Sequence, residues 1–312
     1  MADHQKENKI KGNGIFSRVI GFRALYLMVL PLIIHYMLFF YLPMYGVTLA
    51  FKDFNTKLGI LGSSWAGLKY FEQVFTDGDF LIPLRNTIVI SFLKLLFAFP
   101  APIILALLLN EIQITGFKRS VQTVLYLPRF LSWTIAGGLL FNLLSVNGGI
   151  VIELMKFFGK EPVNFMTDDR YIRTILVAST IWKEAGWGMI IYLAALSSVN
   201  SELYEVAMID GANRWGLIRH VSLPSIKSTI VLVLILSVSG LLNGNFEQVY
   251  VLSNPLLFDK ADIIDTYVFR AGIQGGRISY SAAIGLSRSI VSVILLLSAN
   301  YSAKLLGEDS IF

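Results

Sequence analysis

Six stretches of mostly apolar positions organise the chain: Ala24–Ala50, Thr87–Leu109, Val121–Leu144, Ile172–Leu196, Ser228–Leu242 and Ala282–Leu306. Crossing the roughly 30 Å hydrocarbon core takes about 20 apolar residues in a helix. The pattern therefore predicts an all-α, polytopic membrane protein with six transmembrane helices. The fifth stretch is the weakest. Its uninterrupted apolar part ends near Leu242, and the pattern continues through Asn243 to Val251 as a polar, cavity-lining turn. The first stretch is 27 residues long, well beyond the roughly 7–15-residue apolar core of a signal peptide, so it reads as an uncleaved span. The expected organisation is a cytoplasmic segment at 1–23, a six-span transmembrane domain at 24–306 and a cytoplasmic tail at 307–312.

Composition narrows the class. The chain is 55% hydrophobic and only 15% charged, with no cysteine, against roughly 25% charged residues in soluble domains. A cytosolic enzyme, a disordered chain and a disulfide-stapled fold are all disfavoured. The net charge of +5 does not point to nucleic acid, because the basic residues sit at the ends of apolar runs. With the N-terminus inside, Lys6, Lys9, Lys11, Arg18 and Arg23 adjoin the first span, where positive charge sets orientation most strongly. Both termini are then expected on the cytoplasmic side.

The inner segment 201–225 has the pattern of two short helices. Ser201 is placed to cap the first, with Glu202 and Glu205 near its N-terminus and Leu203, Val206, Ala207 and Ile209 on one face. Gly211 permits the left-handed backbone that ends it. A second helix is expected over Asn213–His220, and Pro224 is placed to open the fifth span. Two readings stand on pattern alone: an amphipathic loop in the lipid headgroups, or a docking element that presents Glu205 and Arg214 to a cytoplasmic partner.

Glu205, Ala207 and Gly211, followed by Val221, Leu223 and Pro224, resemble the EAA signature of permease subunits of binding-protein-dependent ABC importers. Asp210 and Ala212, flanking Gly211, match the sugar-importing branch. Val206 and Val221 depart from the usual Ala and Ile while remaining apolar. Further segments are similar to the oligosaccharide- and polysaccharide-importing subgroup of the maltose-type permeases: Tyr126–Trp133, Asn147–Gly149, Trp182–Trp187, Phe246–Leu252, Tyr267–Arg270 and Leu306–Phe312. The resemblance implies that 201–225 is a coupling helix seated in a cytoplasmic ATPase, with Glu205, Ala207, Asp210, Gly211, Ala212, Arg214, Leu223 and Pro224 as its contact or geometry residues. It also implies a second homologous permease, two ATPase subunits, an extracytoplasmic solute-binding protein docking on the outer loops at 65–79 and 252–278, and a bacterial cytoplasmic-membrane location. ATP and Mg would be bound by the partner ATPases and no cofactor by this chain. The transported saccharide is expected to be an oligosaccharide.

The residues themselves argue against internal catalysis. No Gly-x-x-x-x-Gly-Lys-Ser/Thr phosphate loop occurs, no Gly-x-Ser-x-Gly elbow, and His4, His35 and His220 are too scattered for a metal site. Charges inside spans face protein or water, which marks Lys94, Arg129, Lys183, Glu184 and Arg288. They are read either as inter-helix pairing or snorkelling toward a surface, or as a sugar pathway, in which the cations Arg129, Lys183 and Arg288 hint at acidic sugars. Lys183 and Glu184 point about 100° apart on a helix and need different partners. Planar polar and aromatic side chains suited to carbohydrate cluster at Asn243, Asn245, Phe246, Glu247, Gln248 and Tyr250, with Trp187 a possible addition; an outer-loop turn is the alternative. An ion-coupled secondary transporter is the rival function, and a receptor or assembly protein a third. The secondary transporter would need paired intramembrane acids or inverted repeats, and only Glu184 lies clearly within a span.

Overall fold

The computed structural model describes residues 22–305 and Gly307. The basic residues at Lys6, Lys9, Lys11 and Arg18, His4, the end of the sixth span at Leu306 and the tail at 308–312 lie outside the described residues.

The principal helices are α1 (Arg23–Tyr36), α2 (Gly78–Phe97), α3 (Pro100–Asn110), α4 (Thr115–Tyr126), α5 (Trp133–Leu144), α6 (Asp169–Ser197), α7 (Ser201–Ile209), α8 (Arg214–Leu217), α9 (Lys227–Ser239), α10 (Phe246–Leu252), α11 (Ile264–Val268) and α12 (Ile278–Leu305). The strands among the described residues are two-residue pieces, Lys52–Asp53 and Ser64–Trp65, paired antiparallel. The fold is all-α and polytopic.

Three helical runs are long and apolar enough to cross a membrane: Arg23–Phe51, Gly78–Asn110 and Ile278–Leu305. Two bent pairs raise that to five: Thr115–Phe130 with Trp133–Leu144, at 103°, and Arg214–Ser225 with Lys227–Ser239, at 62°. The fourth predicted span, α6, has 29 residues and is less apolar. Eleven of its residues are buried, among them Ser179 and Lys183, so protein rather than lipid covers much of its polar surface.

Helix ends follow local chemistry that hydropathy does not register. The second span begins at Gly78, well before Thr87, because the Asp77 carboxylate accepts the Asp79 N–H at 3.1 Å and caps it. The third span is not straight. Pro128 lies in a 3₁₀ turn, Leu127–Phe130, and Ser132 starts α5 by accepting the Ile135 N–H at 3.2 Å. The fifth stops at Ser239, and the chain runs through 240–245 before α10 starts.

Helix α6 is the spine of the molecule. Its N-terminal half packs Ile172 and Leu176 with Ile90, Val249, Leu252, Leu257 and Ile263. Its C-terminal half packs Met189, Tyr192 and Leu196 with Ile103, Ala106 and Ile226. A third cluster joins Ala50, Val74 and Phe80 to Tyr267, Tyr280 and Ile284, fastening the end of the first span to α12. By contrast, no residue of Arg23–Tyr41 is buried, so the rest of the chain leaves this apolar stretch uncovered.

The segment 252–278, expected as an outer docking loop, is largely part of the packed body. Leu257, Ala261 and Ile263 are fully buried. Asn86 Nδ2 donates to the carbonyls of Phe258 and Asp259 at 3.3 and 3.1 Å, and Arg173 donates to Lys260 O at 3.2 Å and to Asn86 Oδ1 at 2.9 Å. Asp262 pairs with Arg270 at 2.5 Å. Buried backbone carbonyls need such donors, and side chains of α2 and α6 supply them.

Candidate functional site

The break in the fifth span opens a cavity of about 350 Å³. Lys94, Glu184, Trp187, Ser237 and Asn243 are among the residues that line it. Irregular backbone inside a membrane protein is tolerated where it lines a cavity or is buried in protein, and the 240–245 turn does both: Gly240, Leu241 and Asn243 face the cavity, while Leu242 is buried.

One wall is fixed by Gln248, which is fully buried. Its Nε2 donates to Leu176 O at 2.7 Å, Ser179 Oγ at 2.8 Å and Thr180 Oγ1 at 3.0 Å. That network orients the amide so that Oε1 accepts from Lys94 Nζ at 2.7 Å. Lys94 also donates to Gly244 O at 3.4 Å. Asn245 takes a left-handed backbone, φ +62°, and its side chain accepts the Gln248 N–H at 3.4 Å as the cap of α10.

The elbow of the third span closes on the same region of α6. Glu184 pairs with the Arg129 guanidinium, whereas Lys183 donates to the Arg129 carbonyl at 3.0 Å and lies 5.4 Å from the Trp133 ring. The adjacent charges thus take different groups of one residue. Phe130 meets Trp187 edge-on at 6.2 Å. Lys183 is 4% exposed and does not line the cavity: burial and the carbonyl left by the Pro128 turn hold it in the elbow.

The remaining predicted pathway residues lie elsewhere. Arg288 pairs with Asp265, whose other oxygen accepts the Gly244 N–H at 3.3 Å. Phe246 stacks on Tyr250 at 5.1 Å and contacts Phe269 at 5.3 Å, and it lines a separate cavity with Asp265 and Phe269. Glu247 is exposed. The sequence pattern does not distinguish Asp265, which falls in an expected outer loop, or Ser237, which reads as one more residue of an apolar span.

In the segment 201–225, Asn200 rather than Ser201 caps α7, accepting the Glu202 N–H at 3.0 Å; its short amide reaches an N–H that Ser201, already helical, cannot. Gly211 has φ +84° and ends α7, with the Ala212 N–H on Ala207 O at 2.9 Å. Asn213 accepts the Gly216 N–H at 2.8 Å and starts α8. Helical turns then run on to Ser225, past the predicted end at His220, so Pro224 closes that segment and Lys227 opens the fifth span. Tyr204 Oη and Ser222 Oγ, 3.0 Å apart, tie the two helices together. Glu205 and Arg214 are exposed, as are Val206, Ile209 and Trp215, while Ala207 and Ala212 are partly covered.

A family model described as "Binding-protein-dependent transport system inner membrane component" matches residues 98–308. The chain is 46% identical over 304 residues to the polygalacturonan/rhamnogalacturonan transport system permease protein YteP of Bacillus subtilis (strain 168), covering 97% of this chain and 95% of that protein. It is 29% identical over 290 residues to the arabinooligosaccharides transport system permease protein AraP of the same organism, covering 91% and 90%. Among solved structures, a chain of a bacterial ABC transporter involved in import of the acidic polysaccharide alginate superposes with a TM-score of 0.86 at 38% identity, over 93% of this chain and 98% of that one. A chain of the bacterial alginate ABC transporter in complex with alginate pentasaccharide-bound periplasmic protein gives 0.88 at 36% identity, over 95% and 99%. A match over two-thirds of the sequence, with relatives and structures aligned along nearly all of it, places this multi-pass membrane permease in the family of binding-protein-dependent transport system inner membrane components.

Proposed function

We propose that this chain is the transmembrane permease subunit of an ABC importer that moves an oligosaccharide bearing carboxylate groups, a uronate oligomer, into the cell. The observation that carries the reading is the cavity at the broken fifth span, where Trp187 offers an aromatic face and Lys94, Ser237 and Asn243 offer polar groups. Carbohydrate sites combine these elements, and the volume falls in the range of small-molecule pockets, roughly 300–1,000 Å³. The uronate assignment is supported by the acidic polysaccharides named for YteP and for the alginate transporter.

The chain works with a second permease, two ATPase subunits and an extracytoplasmic binding protein, in a bacterial cytoplasmic membrane with both termini inside and six spans. ATP and Mg belong to the ATPases. The exposed apolar and charged surface of α7 and α8 is the coupling element. Its compact turn, held by Gly211 and the Tyr204–Ser222 contact, moves as a unit when the ATPases close, and swings the attached fifth span between inward- and outward-facing arrangements. Glu205, Ala207, Asp210, Gly211, Ala212, Arg214, Leu223 and Pro224 make or shape that contact.

The test is ATP hydrolysis by the purified assembly in the presence of binding protein loaded with a panel of neutral and acidic oligosaccharides. Stimulation by oligogalacturonate or another uronate oligomer above the neutral sugars is expected. Stimulation by neutral sugars alone would overturn the uronate assignment, and uptake that proceeds without ATP would favour an ion-coupled carrier.

A further inference from the structure

A uronate oligomer needs a cation that the protein has not already neutralised. Of the cations noted within spans, Arg129 is paired with Glu184 and Arg288 with Asp265, while Lys183 is buried against the Arg129 carbonyl and Trp133. None of these offers a free charge to the cavity. Two charged side chains line it, Lys94 and Glu184, and the Glu184 carboxylate is occupied by Arg129.

Resting on the function proposed above, we propose that Lys94 is the specificity-determining residue that reads the carboxylate of the substrate. Among the described residues it forms no ion pair; its acceptors are neutral, Gln248 Oε1 at 2.7 Å and Gly244 O at 3.4 Å. An ammonium group has three N–H donors, so one remains for the cavity that Lys94 lines. The site is built rather than incidental. The two Nε2 hydrogens of Gln248, shared among Leu176 O, Ser179 Oγ and Thr180 Oγ1, fix its amide, and the amide oxygen holds the lysine in place without cancelling its charge. A cation within a span is costly unless protein, water or a ligand compensates it, and a substrate carboxylate would complete the set. Trp187 and Asn243 on the same cavity are placed to take the sugar ring and its hydroxyls. The acidic-sugar preference thus resides in a lysine of the second span, outside the Asn243–Tyr250 cluster that composition favours.

The experiment uses the assembled transporter with its binding protein in proteoliposomes, comparing oligogalacturonate with its carboxyl-reduced, neutral counterpart. Lys94→Gln should raise the half-saturating concentration of the acidic oligomer by about ten- to a hundredfold, the range for losing one hydrogen bond to a charged group. The neutral oligomer should shift far less, and Lys94→Arg should restore most of the preference for acid. Equal shifts for both sugars would make Lys94 a support for Gln248 only and overturn the proposal, as would no shift. On the wild-type assembly, reductive methylation of Lys94 read by mass spectrometry should be suppressed by oligogalacturonate and not by the neutral oligomer. Equal labelling would refute the proposal even if the glutamine variant failed to assemble. Lack of any acid preference in the wild type would instead count against the underlying functional reading.

Discussion

Gly186 sits where α6 crosses the end of α4, and the chains approach so closely that a side chain has no room. A Cβ built there would lie 1.9 Å from the Leu125 carbonyl oxygen and 2.5 Å from its carbon. Ordinary contact begins at about 3.4 Å, so Gly186→Ala must push the helices apart by roughly 1.5 Å, and the obstacle is backbone that cannot rotate away. Overpacking costs about 1–3 kcal/mol, and a backbone clash sits at the upper end. Replacing a mid-helix glycine returns about 1 kcal/mol of propensity, which leaves a net loss of ~2 kcal/mol. For a chain of this size that corresponds to a fall of roughly 3 °C in unfolding temperature. Gly138, in α5, has nothing within 4 Å of its built Cβ, so Gly138→Ala should melt at or above the wild-type temperature. The assay is thermal unfolding of the detergent-solubilised chain by tryptophan fluorescence. If Gly186→Ala melted at or above wild type, the α6–α4 packing described here would be wrong.

Three further outcomes are expected. Glu205→Arg should leave the permease in the membrane but abolish recovery of the ATPase in affinity purification; undiminished recovery would remove Glu205 from the contact. Gly211→Val forces a β-branched residue to φ +84°, at about 1–2 kcal/mol, and should lower substrate-stimulated ATP hydrolysis more than Gly211→Ala does; wild-type coupling in both would show that the turn carries no load. The Asp168 carboxyl, capping α6, is held below its usual 3.8 mainly by hydrogen bonding from the Arg170 side chain, then by the Arg170 N–H. A depressed folded-state value contributes stability above the unfolded value, and that contribution is lost as pH falls through the folded one. Asp168→Asn should therefore be less stable than wild type above about pH 4, with the gap closing as pH falls further, and a gap that stayed the same in acid would contradict the assignment.

Length and hydropathy made the first, second and sixth predicted spans legible as long apolar helical runs, because burial in lipid demands them. Where the runs bend was less so. Pro128 marked the third-span elbow, but its 103° turn depends on Ser132 restarting the helix and on Arg129, Phe130 and Lys183 docking on α6. The left-handed turn at Gly211 was readable from one residue type. The packing of 252–278 was not, since its hydrogen bonds come from Asn86 and Arg173 far away in sequence. For the cavity, sequence identified Glu184, Trp187 and Asn243 and placed Lys94 among the intramembrane charges. It could not tell which cations were already paired, because the Arg288–Asp265 and Arg129–Glu184 pairs join residues 23 and 55 positions apart.

The most direct test of the account is uptake of labelled oligogalacturonate by proteoliposomes holding this chain, its partner permease and the ATPases. The binding protein is supplied on the outer face, and ATP is either sealed inside or left out. The account predicts accumulation that requires both the binding protein and ATP, and that stops when Glu205→Arg replaces the wild-type chain. Accumulation without ATP, driven by an imposed proton or sodium gradient, would contradict it.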